Sequence, residues 1–236
     1  MPETTITLLK GDKVDSNLDY RDALPVNVSA VDRPVLGAEG YMLQEPGLTQ
    51  YAVGVGKDRG GVWNERLNKH IRVSGNKLIE VAQDGTVTQV GTIAGSNRVV
   101  LPYSFTTQAI IAYPKMYLYT GDVLSTITDP DLGTIIDGVW VDSYYFLTDG
   151  ENLLVTDLDS ESSIDPLKFS TSEFSPDPTL GVLLTTDNKV AVFNRYTTEF
   201  FVNDASTNFP FSRLPSRSQK IGIVGTHAKD RDWETP

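Results

Sequence analysis

The feature that most constrains this chain is a hairpin written twice. "GVWNERLNKHIRVSGNKLIEV" runs from Gly61 to Val81, and "GVWVDSYYFLTDGENLLVTDL" from Gly138 to Leu158, 77 residues further on. Each reads as strand, turn, strand behind the same Gly-Val-Trp. Aligning similar unit starts gives Val62, Val99, Val139, Val182 and Ile223, with steps of 37, 40, 43 and 41 residues. These steps are close to the roughly 40–45 residues of a four-stranded propeller blade, and the two Trp units stand two steps apart. One small sheet cannot bury both of its faces, so successive sheets stack radially and share apolar interfaces. The competing architecture is an irregular β-sandwich, whose turns recur every 8–12 residues or so.

Local chemistry supports an all-β reading. No window carries the i, i+3, i+4, i+7 apolar face of a helix. Short β-branched and aromatic runs dominate: His70–Val73, Lys77–Val81, Val99–Tyr103, Ala109–Tyr113, Tyr144–Thr148, Leu153–Thr156, Val182–Thr185, Val190–Phe193 and Glu199–Val202. Turns are expected at Ser74-Gly75-Asn76, Asp84-Gly85, Asp149-Gly150 and Asp187-Asn188, where Gly and Asn accept a positive φ. "TTEFFV", Thr197 to Val202, reads as an inner strand. Residues 1–50 are turn-rich, interrupted by Pro25, Pro34 and Pro46, and read as an extended N-terminal arm feeding the first sheet. Residues 51–236 read as the propeller portion. Within it, Asp159 to Pro178 reads as a long polar surface loop, and a fifth unit opens at Lys220 without a partner hairpin. The fold class expected is therefore all-β, a β-propeller with blades of about 40 residues, incomplete at its C-terminus.

Chemistry is harder to find. There are no cysteines, which excludes disulfides, thiolate metal sites and cysteine nucleophiles. Two histidines, His70 and His227, leave little for zinc or a His-based triad; His70 reads as structural. Phosphate-loop, nucleophile-elbow and HExxH patterns are missing, and "GVGKDRGG", Gly54 to Gly61, reads as a turn. Carboxylate groups such as Asp157, Asp159 and Glu161, or Asp129 and Asp131, would need to converge in a pocket to do acid–base work; in loops they are usually solvated. "DLDSES" lacks the glycine and glutamate of a calcium loop. Trp63 and Trp140 suit either sugar stacking or a core between sheets, and their matching repeat positions favour the core.

Charge narrows the partners. The 20 basic and 31 acidic residues give −11 at pH 7. Gripping nucleic acid takes clustered Lys and Arg, and the densest group, Arg213, Arg217 and Lys220, reads as a solvated loop. No apolar run approaches the length of about 18 residues that spans a membrane, and the N-terminus lacks the pattern of a secretory signal.

Eight pieces in order carry a family resemblance: "LPVN" (Leu24–Asn27), "GYMLQEPGLTQY" (Gly40–Tyr51), "RGGVWNERLNKHIRVSGNKLIEV", "VGTIAGSNRVV" (Val90–Val100), "FLTDGENLLVTDL", "EFSPDP" (Glu173–Pro178), "VAVFNRYTTEFF" (Val190–Phe201) and "QKIGIVGTHAK" (Gln219–Lys229). Over nearly its whole length the chain resembles the tail accessory factors, or packaged-DNA stabilisation proteins, of P22-like short-tailed phages. The resemblance implies a propeller assembling as a homo-hexamer that docks beneath the portal ring and forms the tail hub. It also implies that the hub receives the tail needle, helps retain packaged DNA, and lets DNA pass without specific binding. A virion tail location, with assembly in the host cytoplasm, follows from the same resemblance. Members are about twice this length, so the chain would be a fragment of such a protein or be completed by another chain. The family supplies no catalytic residue, metal or cofactor, and no interface residue is assigned. The alternative is a propeller-type glycoside hydrolase or carbohydrate-binding module built on Trp63, Trp140 and the acidic loops.

Overall fold

The computed structural model describes residues 28–31, 41–44, 46–47, 49–158 and 160–230. Leu24–Asn27, most of the arm over 1–50 and Asp159 lie outside the described residues. Contacts divide the chain into Met1–Tyr51 and Ala52–Pro236. In the first unit, β1 (Val28–Val31) and β2 (Tyr41–Gln44) pair antiparallel as a two-stranded sheet.

The second unit is a four-bladed propeller arrangement of antiparallel meanders. The first sheet is β3 (Asp58–Asn64), β4 (Lys69–Ser74), β5 (Lys77–Val81) and β6 (Val87–Thr92). The second is β7 (Gln108–Ala112), β8 (Lys115–Thr120) and β9 (Val123–Thr126). The third is β10 (Asp137–Val141), β11 (Tyr144–Thr148), β12 (Asn152–Asp157) and β13 (Ser160–Thr171). The fourth is β14 (Thr179–Leu184), β15 (Val190–Asn194), β16 (Thr198–Asn203) and β17 (Phe211–Arg213). The expected run Val99–Tyr103 supplies the second sheet's opening edge through bridges Val100–Ile111 and Tyr103–Gln108. It forms no continuous strand, since Pro102 has no N–H to give a ladder.

Alternation along the strands turns one face of each sheet toward its neighbour. Ile71, Val73 and Leu78 of the first sheet meet Ile110, Tyr117 and Tyr119 of the second. Ala109, Ile111, Met116 and Leu118 of the second meet Tyr145, Leu147 and Leu154 of the third. Phe146, Leu153 and Val155 of the third meet Val182, Val190, Val192 and Phe201 of the fourth. Three apolar clusters thus join four sheets in series. Among the described residues no such cluster joins the fourth sheet to the first.

The expected turns carry the expected backbone: φ is 59° at Gly75, 84° at Gly85, 102° at Gly150 and 56° at Asn188. Four expectations change. Asp159–Pro178 is largely β13, a twelve-residue strand, because sparse inward residues such as Ile164 suffice for an outer edge whose other face meets water. "TTEFFV" falls on β16, the third strand of its sheet and not the innermost; strong apolarity reports burial, not rank. "GVGKDRGG" is a turn only in its first half, since Asp58 already opens β3. The segment from Lys220 to Asp230 contains no strand.

Candidate functional site

Several aspartates build turns, and of the candidate carboxylates Asp129 is one of them. Asp84 Oδ1 accepts from Thr86 N at 2.8 Å, and Asp149 Oδ1 from Glu151 N and Asn152 N at 2.8 and 2.6 Å. Asp177 Oδ2 accepts from Tyr196 N and Thr197 N at 2.7 and 3.1 Å. A short acidic side chain satisfying the backbone beyond it is ordinary turn chemistry. Asp129 does the same for Asp131 N at 2.9 Å and also accepts from Ile164 N of β13 at 3.1 Å, while Asp131 itself is exposed. Asp157 is held by Lys168 Nζ at 3.2 Å and by Ser163 Oγ at 3.0 Å. Glu161 sits half-buried and raises the pKa of Tyr145 through its charge, second to the effect of burial.

A shallow cleft of about 600 Å³ lies against the fourth sheet, lined by Thr186, Asp187, Phe200, Ser216, Arg217 and Gln219. Its one carboxylate, Asp187, is bound by Lys189, Thr185 and Arg217, which hold its pKa well below the ordinary carboxylate value. A hydrolase needs a second carboxylate facing the first, and the cleft lining offers none. Among the described residues no group of three or more His, Asp and Glu could hold a metal ion.

The two tryptophans occupy matching places, Trp63 on β3 opposite His70 and Trp140 on β10 opposite Tyr145. Their surroundings differ. Trp140 packs on the second-to-third sheet cluster and stands edge-on to Phe105, 4.7 Å between centroids at 81°. Trp63 is 44% exposed, which corrects its expected place between sheets. The same letter at the same repeat position thus has different surroundings in the two sheets. Arg66 lies over the Phe105 ring at 4.7 Å, extending an aromatic patch there.

His70 is half-buried on β4, and its pKa is lowered by burial first and by Arg72 second, against Asp58. His227 is lowered by burial and then by Arg98. The basic group is split among acidic partners: Arg213 reaches Glu199 at 3.4 Å and Arg217 reaches Asp187 at 2.8 Å while covering Phe200.

Several buried or nearly buried ionisable residues were missed in the sequence. Arg59, 3% exposed, donates to the carbonyls of Asn97 (2.7 Å), Ala94 (2.9 Å), Gly75 (3.2 Å) and Ile93 (3.3 Å). Glu199 accepts from Ser172 Oγ at 2.5 Å and Phe174 N at 2.8 Å, fixing the third-to-fourth sheet connector. Asp137 pairs with Lys229 across 92 residues. A signal did exist for Glu199 and Asp137: an acid written inside "TTEFFV" and "IIDGVW" interrupts an apolar run. Between the first and second sheets, Tyr119 Oη lies 2.5 Å from Glu80 Oε1 and 2.8 Å from Asp122 Oδ1, with Lys69 bridging the same acids.

A family model described as "Bacteriophage P22 Gp10, beta-propeller" matches residues 4–234. The chain is 31% identical to the tail hub protein gp10 of Salmonella phage P22 over 248 aligned positions. The alignment covers 97% of this chain and 51% of that protein. This chain therefore spans about half the length of that relative. Among solved structures, a streptogramin B lyase superposes with a TM-score of 0.50 at 13% identity, covering 70% of this chain and 57% of that one. Virginiamycin B lyase from Staphylococcus aureus follows at 0.49 and 11%, with 68% and 57% covered. At such identity the streptogramin lyase shares the fold alone. With the match running through all four sheets, the chain belongs to the Bacteriophage P22 Gp10 β-propeller family.

Proposed function

We propose that this chain is the propeller part of a phage tail hub, a structural protein of the virion tail without catalytic activity. The observation that carries the reading is the 31% identity to a tail hub protein across 97% of the chain. The commitment of Asp129, Asp157 and Asp187 to turns and ion pairs supports it, because it removes the carboxylates a hydrolase would use. The proposed partners are the portal ring above and the tail needle below, with a homo-hexamer as the assembled state. DNA passes through the assembly without being gripped. A net charge of −11 agrees with this, since each phosphate neutralised by a cation would add both affinity and friction.

The test is to mix the purified protein with the portal ring of its phage and image the mixture by electron microscopy. A ring-on-ring complex is expected. Absence of any complex, together with measurable glycosidase activity, would overturn the reading.

A further inference from the structure

Among the described residues after β17, 214–230, no further strand forms. The chain bridges Gln219 to Thr198, with both backbone N–H groups donating at 2.9 Å. It then crosses the turn between β15 and β16: Thr198 Oγ1 donates to Ile221 O at 2.6 Å, Ile223 N to Asn194 O at 3.0 Å, and Arg195 Nη1 to Val224 O at 3.1 Å. At Gly222 a Cβ would stand 2.5 Å from the backbone of Asn194 and Arg195, so only glycine permits this approach. The segment ends by sending Lys229 inward, where its side chain is 11% exposed.

What receives Lys229 is a shaped seat. β10 and β14 are the first strands of the third and fourth sheets and lie side by side. Asp137, fully buried at the start of β10, accepts from Val182 N of β14 at 2.7 Å. Its same oxygen, Oδ2, pairs with Lys229 Nζ, which also donates to Val182 O at 2.5 Å. Gly181 makes the room: a Cβ there would stand 2.7 Å from Asp137 Oδ2 and 3.0 Å from Lys229 Nζ. Asp137 Oδ1 is buried and without a hydrogen-bond partner among the described groups. A buried carboxylate with a free oxygen is costly unless a cation sits against it. Burial lowers the pKa of Lys229 to about 7.

We propose that Asp137, Gly181 and Val182 form a built seat for one primary alkylammonium, and that residues 219–230 are a strap latched across this end of the propeller by Lys229. The strap ties the fourth sheet back to the third at their innermost strands. It brings His227 within electrostatic reach of Arg98, ahead of the second sheet's opening edge. It is thus a cross-brace on four sheets that apolar clusters join only in series. The inference stands on the geometry of this chain and is independent of the tail-hub reading.

Chemical rescue tests it. In the full chain, Lys229→Ala should speed amide hydrogen exchange of residues 221–228 at least tenfold. n-Propylammonium replaces the deleted part of the side chain and should restore protection in a saturable manner; tetramethylammonium, which has no N–H to donate, should not. Adding Asp137→Asn to Lys229→Ala should abolish the rescue. If Lys229→Ala does not fold, it is refolded with n-propylammonium present: recovery supports the seat, and no recovery overturns it. Unchanged exchange in Lys229→Ala, or equal rescue by both ammonium ions, would also overturn it.

Discussion

At the scale of single residues, the buried polar groups do work that the surface charges do not. Among the described residues Arg59 forms no ion pair; four carbonyls share its charge, and burial lowers its pKa while Tyr117 opposes. Arg59→Met should cost about 3 kcal/mol in urea unfolding, because it leaves several buried carbonyls unpaired. Surface Arg72→Met, which loses only a pair with Asp58 at 2.7 Å, should cost under about 1 kcal/mol. Tyr145 is fully buried, with Ser104 N donating to its hydroxyl at 3.1 Å and the hydroxyl donating to Thr107 O at 3.0 Å. Burial raises its pKa above the value of about 10 expected in the unfolded chain. The unfolded state then loses its proton first, so this contribution is whole below about pH 10 and is lost as pH rises toward the folded pKa. Urea midpoints measured from pH 8 to 11 should fall above pH 10, and Tyr145→Phe should flatten part of that fall.

At the scale of elements, the sequence showed apolar strands well and polar ones poorly. Nine runs chosen for β-branched and aromatic content fall on strands or, for Val99–Tyr103, on isolated bridges. β13 escaped because only one face of an outermost strand needs apolar side chains, and Ser, Asp and Lys fill the rest. Ile164 supplies that face at 3% exposure, whereas Leu167 is 79% exposed. Ile164→Ala should therefore destabilise by about 2–4 kcal/mol and Leu167→Ala by less than about 0.5 kcal/mol. Similar small losses from both, by thermal or urea unfolding, would return this stretch to a loop. Gly138 is a second element-scale marker. A Cβ there would meet Leu147 at 2.5 Å and Ile111 at 2.9 Å, so Gly138→Ala should overpack the second cluster and cost about 1–3 kcal/mol.

At the scale of the whole molecule, 31 acidic against 20 basic residues leave a net charge of −11. The assembled protein should bind duplex DNA weakly at physiological salt; submicromolar affinity in a filter or fluorescence assay would contradict the proposed passage of DNA. The sequence by itself determined the β class, the step of about 40 residues and the turn positions, because these depend on residues near one another in the chain. It also carried the family, through ordered short motifs. Only the tertiary structure decided that Trp63 meets solvent while Trp140 is packed, because repeat position does not reveal which residues from elsewhere in the chain pack against a side chain. Only it showed that "KIGIVGTHAKD" crosses the end of the sheets as a strap. The partner that holds that strap, Asp137, lies 92 residues away, a distance over which local pattern carries no information.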